Sequence, residues 1–205
     1  MSKKNIAILT IILAILIDQI VKVYIKTNFF LGEEVKVFDW FRIHFVENNG
    51  MAMGFEFGGK GGKLFLTLFR LVAIGGIVYW LLNTIKKNLP TITVISIALI
   101  FAGAVGNIID SVFYGVIFNT PNGKGVATLF SDNPYGELFY GKVVDMFYFP
   151  IWKGDFPEWI PFIGGEPGGF FNYIFNPADS YITAGVALLF IFSKKSFPKE
   201  EKVTA

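Results

Sequence analysis

Four aspartates stand in or beside apolar stretches of this chain: Asp18, Asp110, Asp145 and Asp179. Asn48, Asn107 and Asn176 accompany them, and Lys22 follows Asp18 by four residues. Helical residues three or four apart share a face, so Asp18 can meet Lys22 and Asn107 can flank Asp110. An ionisable group in a membrane-spanning segment is costly and marks a functional site by default. Two carboxylates close together in a low-dielectric site share one proton, because both cannot readily ionise. The charged one can take a proton from water. The neutral one can hydrogen-bond a scissile carbonyl and later protonate the leaving amine. The residues alone do not choose which two of the four acids form such a pair. The plain alternative for each is a helix cap or solvated helix end, and for Asp18 and Lys22 a local ion pair.

Composition narrows the chemistry further. There is no cysteine, which excludes disulfides, thiol nucleophiles and thiolate-held metals. The single histidine, His44, excludes a site built from several histidines, and any Ser-His-Asp relay would have to use it. No metal or cofactor is expected. A net charge of +2 without a basic stripe does not suit nucleic acid. Of 205 residues, 53% are hydrophobic and 17% charged, against about 45–50% and about 25% in soluble domains. Mean hydropathy is +0.54. These values predict a mainly α membrane protein forming one unit over residues 1–205.

Four apolar stretches, about 5–25, 64–84, 92–112 and 176–193, must position the polar residues. A span needs roughly 20 residues. The fourth reaches this only with Asn176 and Asp179 at the interface, and it is accepted because it returns the tail to the first side. The first could be read as a cleaved leader, but Asp18, Gln19 and Lys22 follow its apolar run where a small-residue cleavage site would stand, so a retained helix is expected. Lys3 and Lys4, Lys86 and Lys87, and Lys194, Lys195 and Lys199 then share one side. The positive-inside rule makes that side cytoplasmic, with both termini inside. Loops of about 26–63 and 113–175 face outward, and the four aspartates fall near the outer interface.

The outer loops carry structure of their own. VKVFDWFRIHFVENN (35–49) alternates partially and predicts short strands. GGKGG (58–62) is expected to punctuate the chain before the second helix. In the second loop, NTPNGKG (119–125) and SDNPYGE (131–137) are turn-rich. Residues 147–171 are dense in Phe, Trp, Pro and Gly, which suits either a headgroup-level surface or a small subdomain.

Five segments in order resemble bacterial lipoprotein signal peptidase, also called signal peptidase II. They are DQIVK (18–22), ENNGMAMGF (47–55), GAVGNIID (103–110), VVDMF (143–147) and FNPADSYIT (175–183). The resemblance implies four transmembrane helices with a small β-rich cradle on the periplasmic face of a bacterial inner membrane. It implies an aspartyl endopeptidase that cuts a prolipoprotein before its diacylglyceryl-modified cysteine and is inhibited by globomycin. By motif, the catalytic aspartates fall on Asp145 and Asp179. Supporting residues fall on Asp18, Lys22, Asn48, Gly50, Asn107, Asp110 and Asn176. Membrane lipid and the lipidated substrate are the expected partners, and a monomer is expected. Three departures stand out. Ser111 occupies a place where the family usually has arginine, with Arg42 as a candidate replacement. Met53 stands where the family usually has Phe, and the outer loop is enlarged over 111–142 and 150–174. The rival readings are a small transporter or proton channel built on intramembrane acids, and a scaffold without catalysis.

Overall fold

The computed structural model describes residues 1–49, 59–121, 123–155, 157–159, 165, 167–170 and 173–196. Gly50 and Met53 lie outside them. Helix α1 (Lys3–Asn28) starts at Ser2, whose hydroxyl accepts from the Asn5 amide. Helices α2 (Gly59–Lys86) and α3 (Thr91–Ile117) follow. These three are long and apolar enough to cross a membrane. Near the end of the chain come α4 (Pro177–Ile191), apolar but only 15 residues, and a short α5 (Ser193–Ser196).

Helix α3 is the hub, and α1, α2 and α4 pack on it. Its buried residues include Val94, Ile97, Ala98 and Ala102, whereas α1 leaves Ile8, Leu9, Ile12, Leu13, Leu16 and Ile17 exposed. An outward apolar face of this kind suits lipid. Close contact between α3 and its neighbours depends on Gly106: a Cβ there would stand 2.5 Å from Asp18 Oδ2 and 3.2 Å from Ala178 Cβ. At one end of the bundle Lys3 Nζ donates to the Asn88 carbonyl (2.9 Å) and side chain (2.6 Å), tying the N-terminus to the α2–α3 turn.

The other end carries an antiparallel sheet. Strands β1 (Glu34–Phe38), β2 (Phe41–Asn48) and β3 (Val143–Tyr148) follow chain order. A separate hairpin pairs β4 (Trp152–Asp155) with β5 (Pro167–Phe170), and β6 (Ile174–Phe175) completes the main sheet in the order β1-β2-β3-β6. The register sets Val46 opposite Asp145 and Asn48 opposite Val143. Ile25, Phe45, Tyr114, Phe118, Val144 and Met146 form the core between sheet and helices. Phe41, Phe147, Phe149 and Phe175 make a run of ring contacts, with centroids 4.9–6.1 Å apart.

Two boundaries differ from expectation. Helix α2 starts at Gly59, so most of GGKGG is helical and does not punctuate the chain. Tertiary contacts override the weak helix preference of glycine. Lys60 sits 3.6 Å from Glu137 and over the Tyr140 ring, and Lys63 Nζ donates to the Asn49 side chain (3.0 Å) and the Tyr140 carbonyl (2.8 Å). Helix α3 runs on to Ile117 because its last turns are buried beneath the enlarged loop. The amides of Tyr135, Gly136, Phe139 and Gly141 donate to the carbonyls of Phe118, Gly115, Val112 and Ser111, laying that loop along the helix. A Cβ on Gly141 would overlap the Asp110 carbonyl, so this approach requires glycine.

Candidate active site

Asp145 lies on β3 and Asp179 in the first turn of α4, and two asparagines join them. Asn176 is the N-cap of α4 in a reciprocal capping box: its Oδ1 accepts from the Asp179 amide (3.0 Å), while Asp179 Oδ2 accepts from the Asn176 amide (3.3 Å). Pro177 at N1 supplies the preset φ that this position favours. The Asn176 Nδ2 group donates to Asp145 Oδ1 (2.6 Å) and to Asn107 Oδ1 (3.0 Å). Asn107 Nδ2 donates to Asp179 Oδ1 (2.8 Å), and Asn48 Nδ2 donates to Asp145 Oδ2. Each carboxylate thus accepts from amides on two sides. Burial first, and then the charge of Asp179, pushes Asp145 up to about 7, while donors from Asn176 and Asn48 and the charge of Lys22 act the other way.

A second layer fixes both elements. Lys22 Nζ lies 3.0 Å from Asp18 Oδ2 and 2.9 Å from Asp110 Oδ2, and donates to Asn107 Oδ1 at 2.9 Å. All three ionised groups are fully buried. Their carboxylates also reach the elements that carry the pair: Asp18 Oδ1 accepts from the Ala178 amide (2.9 Å) at the start of α4, and Asp110 Oδ2, the oxygen that faces Lys22, also accepts from the Val144 amide (3.2 Å) on β3. Asp18 and Lys22 are therefore more than an isolated ion pair at a helix end.

The structure brings together Asp18, Lys22, Asn48, Asn107, Asp110, Asp145, Asn176 and Asp179. Gly50 lies outside the described residues. Arg42 is not at the site; it pairs with Glu34 across β1 and β2, and its Nε is buried without a hydrogen-bond partner. Ser111 turns back on its own helix, its hydroxyl donating to the Asn107 carbonyl (2.9 Å).

The family model described as Signal peptidase (SPase) II matches residues 10–195. The chain belongs to the signal peptidase II family. A protein named lipoprotein signal peptidase from Porphyromonas gingivalis is 50% identical over 183 residues, covering 88% of this chain and 79% of that protein. One of the same name from Amoebophilus asiaticus is 35% identical over 190 residues, covering 90% and 76%. A solved structure described as a bacterial membrane enzyme aligns with a TM-score of 0.58 at 25% identity, over 96% of this chain and 93% of that one. The resemblance read from the five segments is borne out.

Within this signal peptidase II chain, three contributors escaped the sequence reading. Gln19 Nε2 donates to Asp18 (3.0 Å), Asp110 (3.1 Å) and the Gly106 carbonyl (3.2 Å), closing the second layer. Glu47, next to Asn48, pairs with buried Lys26, whose ammonium lies over the rings of Phe118 and Tyr135 (both 5.1 Å). Arg70 of α2 is half-buried. The signal for Arg70 was its place within LFLTLFRLVAIGG (64–76), an apolar run where a guanidinium is costly.

Proposed function

We propose that this chain is an aspartic endopeptidase that removes signal peptides from lipoprotein precursors, cutting before a diacylglyceryl-modified cysteine, with Asp145 and Asp179 as its catalytic pair. Membership of the signal peptidase II family supports the reaction, and the names of its relatives support the substrate. The observation that carries the pair is the bridge of Asn176 and Asn107 between the two carboxylates.

Asp179, at the positive end of the α4 dipole, is the charged base. It takes a proton from water as the oxygen attacks the scissile carbonyl. Asp145, which burial keeps protonated toward neutral pH, donates to the carbonyl oxygen and then helps return a proton to the leaving amine. Asn48, Asn107 and Asn176 orient the pair, and Asp18, Lys22 and Asp110 hold the elements beneath it. Helix α4 is the fourth span, with Asn176 at the interface. Both termini are cytoplasmic, the sheet lies on the periplasmic face of the inner membrane, and the chain acts as a single monomeric unit. The substrate enters sideways from the bilayer, its acyl chains remaining in lipid.

The test incubates purified protein in detergent with a diacylated precursor. Globomycin-sensitive cleavage is expected, and Asp145→Asn and Asp179→Asn should each abolish it while the protein still folds. Wild-type turnover in either variant would sink the assignment of the pair. Proton flux in liposomes without precursor cleavage would support the transporter reading instead.

A further inference from the structure

Lys26 and Glu47 stand outside the residues that the family motifs assign, yet they meet one position away from a bond to Asp145. Side chains alternate along a strand. Glu47 lies opposite Val144 of the core, whereas Asn48 lies opposite Val143, on the Asp145 face, and its Nδ2 group donates to Asp145 Oδ2. A slip of β2 by one residue would turn Asn48 into the core and Glu47 toward Asp145. The β1–β2 hairpin does not by itself fix this register, because the pairing of β2 with β3 shifts between Ile43 and Val46. Past that shift Glu47 is held by side chains: Lys26 Nζ of α1 donates to its Oε1, and Lys142 Nζ lies 3.5 Å from its Oε2. Lys26 is buried, its ammonium over the rings of Phe45, Phe118 and Tyr135, and its carbonyl accepts from the Ala127 amide of the enlarged loop (3.2 Å). On the other side of Asn48, Lys63 Nζ donates to Asn49 Oδ1 (3.0 Å). A buried ion pair adds little net stability, and apolar residues of similar volume often serve as well or better. What this pair supplies is a single permitted register, since a slip leaves a buried ammonium without its carboxylate.

We infer that Lys26 and Glu47 are positioning residues of the active site: their ion pair locks the end of β2 in the register that aims Asn48 at Asp145. The inference rests on the carboxylate-pair reading above. The effect runs from Lys26 to Glu47, along the backbone of β2, and reaches the acid as one oriented amide donor. It also gives the enlarged loop a task, because Ala127, Tyr135 and Lys142 pack around the ion pair.

The experiment measures kcat and KM for cleavage of a diacylated precursor, with Tm in detergent, for wild type, E47Q, K26M/E47L and N48A, and for the first two variants combined with N48A. E47Q and K26M/E47L should each lower kcat by about ten- to a hundredfold, the worth of one hydrogen bond to a charged group, with KM unchanged. The apolar pair of K26M/E47L should hold Tm at or above wild type, so that activity falls without stability. In the N48A background neither change should slow cleavage further, because the contact they serve is already gone. E47Q keeps the shape of the side chain and carries the test if K26M/E47L does not fold. Wild-type kcat in the folded variants, or the same fractional loss with and without N48A, overturns the inference. Asp145→Asn and Asp179→Asn run alongside: turnover in either sinks the pair itself, whereas two inactive variants with equal losses in both backgrounds sink only the role of Lys26 and Glu47.

Discussion

Replacing Asp145 by asparagine should stop turnover and yet stabilise the folded protein in alkaline solution. Burial, followed by the charge of Asp179, moves the Asp145 carboxyl from its ordinary 3.8 up to about 7. Between roughly pH 4 and 7 the folded chain therefore keeps a proton that the unfolded chain releases. Stability falls as pH rises through that window and levels off above it. The difference is about 3 units, worth about 4 kcal/mol at pH 8.5. An amide at 145 escapes this penalty but meets two amide donors, from Asn48 and Asn176. Turning one away, or leaving it unpaired, costs about 1–3 kcal/mol. The net at pH 8.5 is a gain of about 2 kcal/mol, or about 5 °C in Tm for a chain of this size. Near pH 4, where wild-type Asp145 is neutral, only the amide mismatch remains and the variant should be the less stable. Thermal unfolding in detergent, followed by tryptophan fluorescence at both pH values, reads the reversal. An equal Tm difference at the two pH values would refute the reasoning.

Two further changes probe the layer beneath the pair. Gly106→Ala places a methyl 2.5 Å from Asp18 Oδ2, which must shift. A loss of about 1–3 kcal/mol is expected, with kcat falling because Asp18 anchors the Ala178 amide; unchanged Tm and kcat would contradict the packing. Lys22→Met leaves Asp18 and Asp110 buried without their cation. It should cost about 3–5 kcal/mol; the denaturation midpoint of the variant against wild type checks this, and an unchanged midpoint would contradict the pairing.

Much of the frame was legible because hydrophobic length and alternation are local properties. The long apolar runs became α1, α2 and α3, and FRIHFVEN became β2. The start of α2 was not legible, because Lys60 and Lys63 find partners in the enlarged loop and at Asn49, which no local pattern reveals. At the site, residue types pointed to acid chemistry but not to a pair. Choosing Asp145 and Asp179 over Asp18 and Asp110 needed the family resemblance; the structure adds a physical distinction. Asp18 and Asp110 accept from amides and are also both paired with Lys22, whereas the bonds described to Asp145 and Asp179 all come from amides. Arg70 belongs to no motif of acids and amides, although a lone arginine in an apolar run carries the same cost.

The bond from the Ala178 amide to Asp18 joins the last long helix to the first across 160 positions of sequence. It also sets a point in time. During synthesis α1, α2 and α3 can enter the membrane and the sheet can begin to form, but Asp18 has no backbone amide to receive and Asp145 has neither Asn176 nor Asp179 beside it. The carboxylate pair comes into existence only when the final segment is made and docked. With Asp145 and Asp179 as the proposed pair, a ribosome-bound or truncated chain ending before α4 would be an unarmed protease, and docking of α4 its activation step.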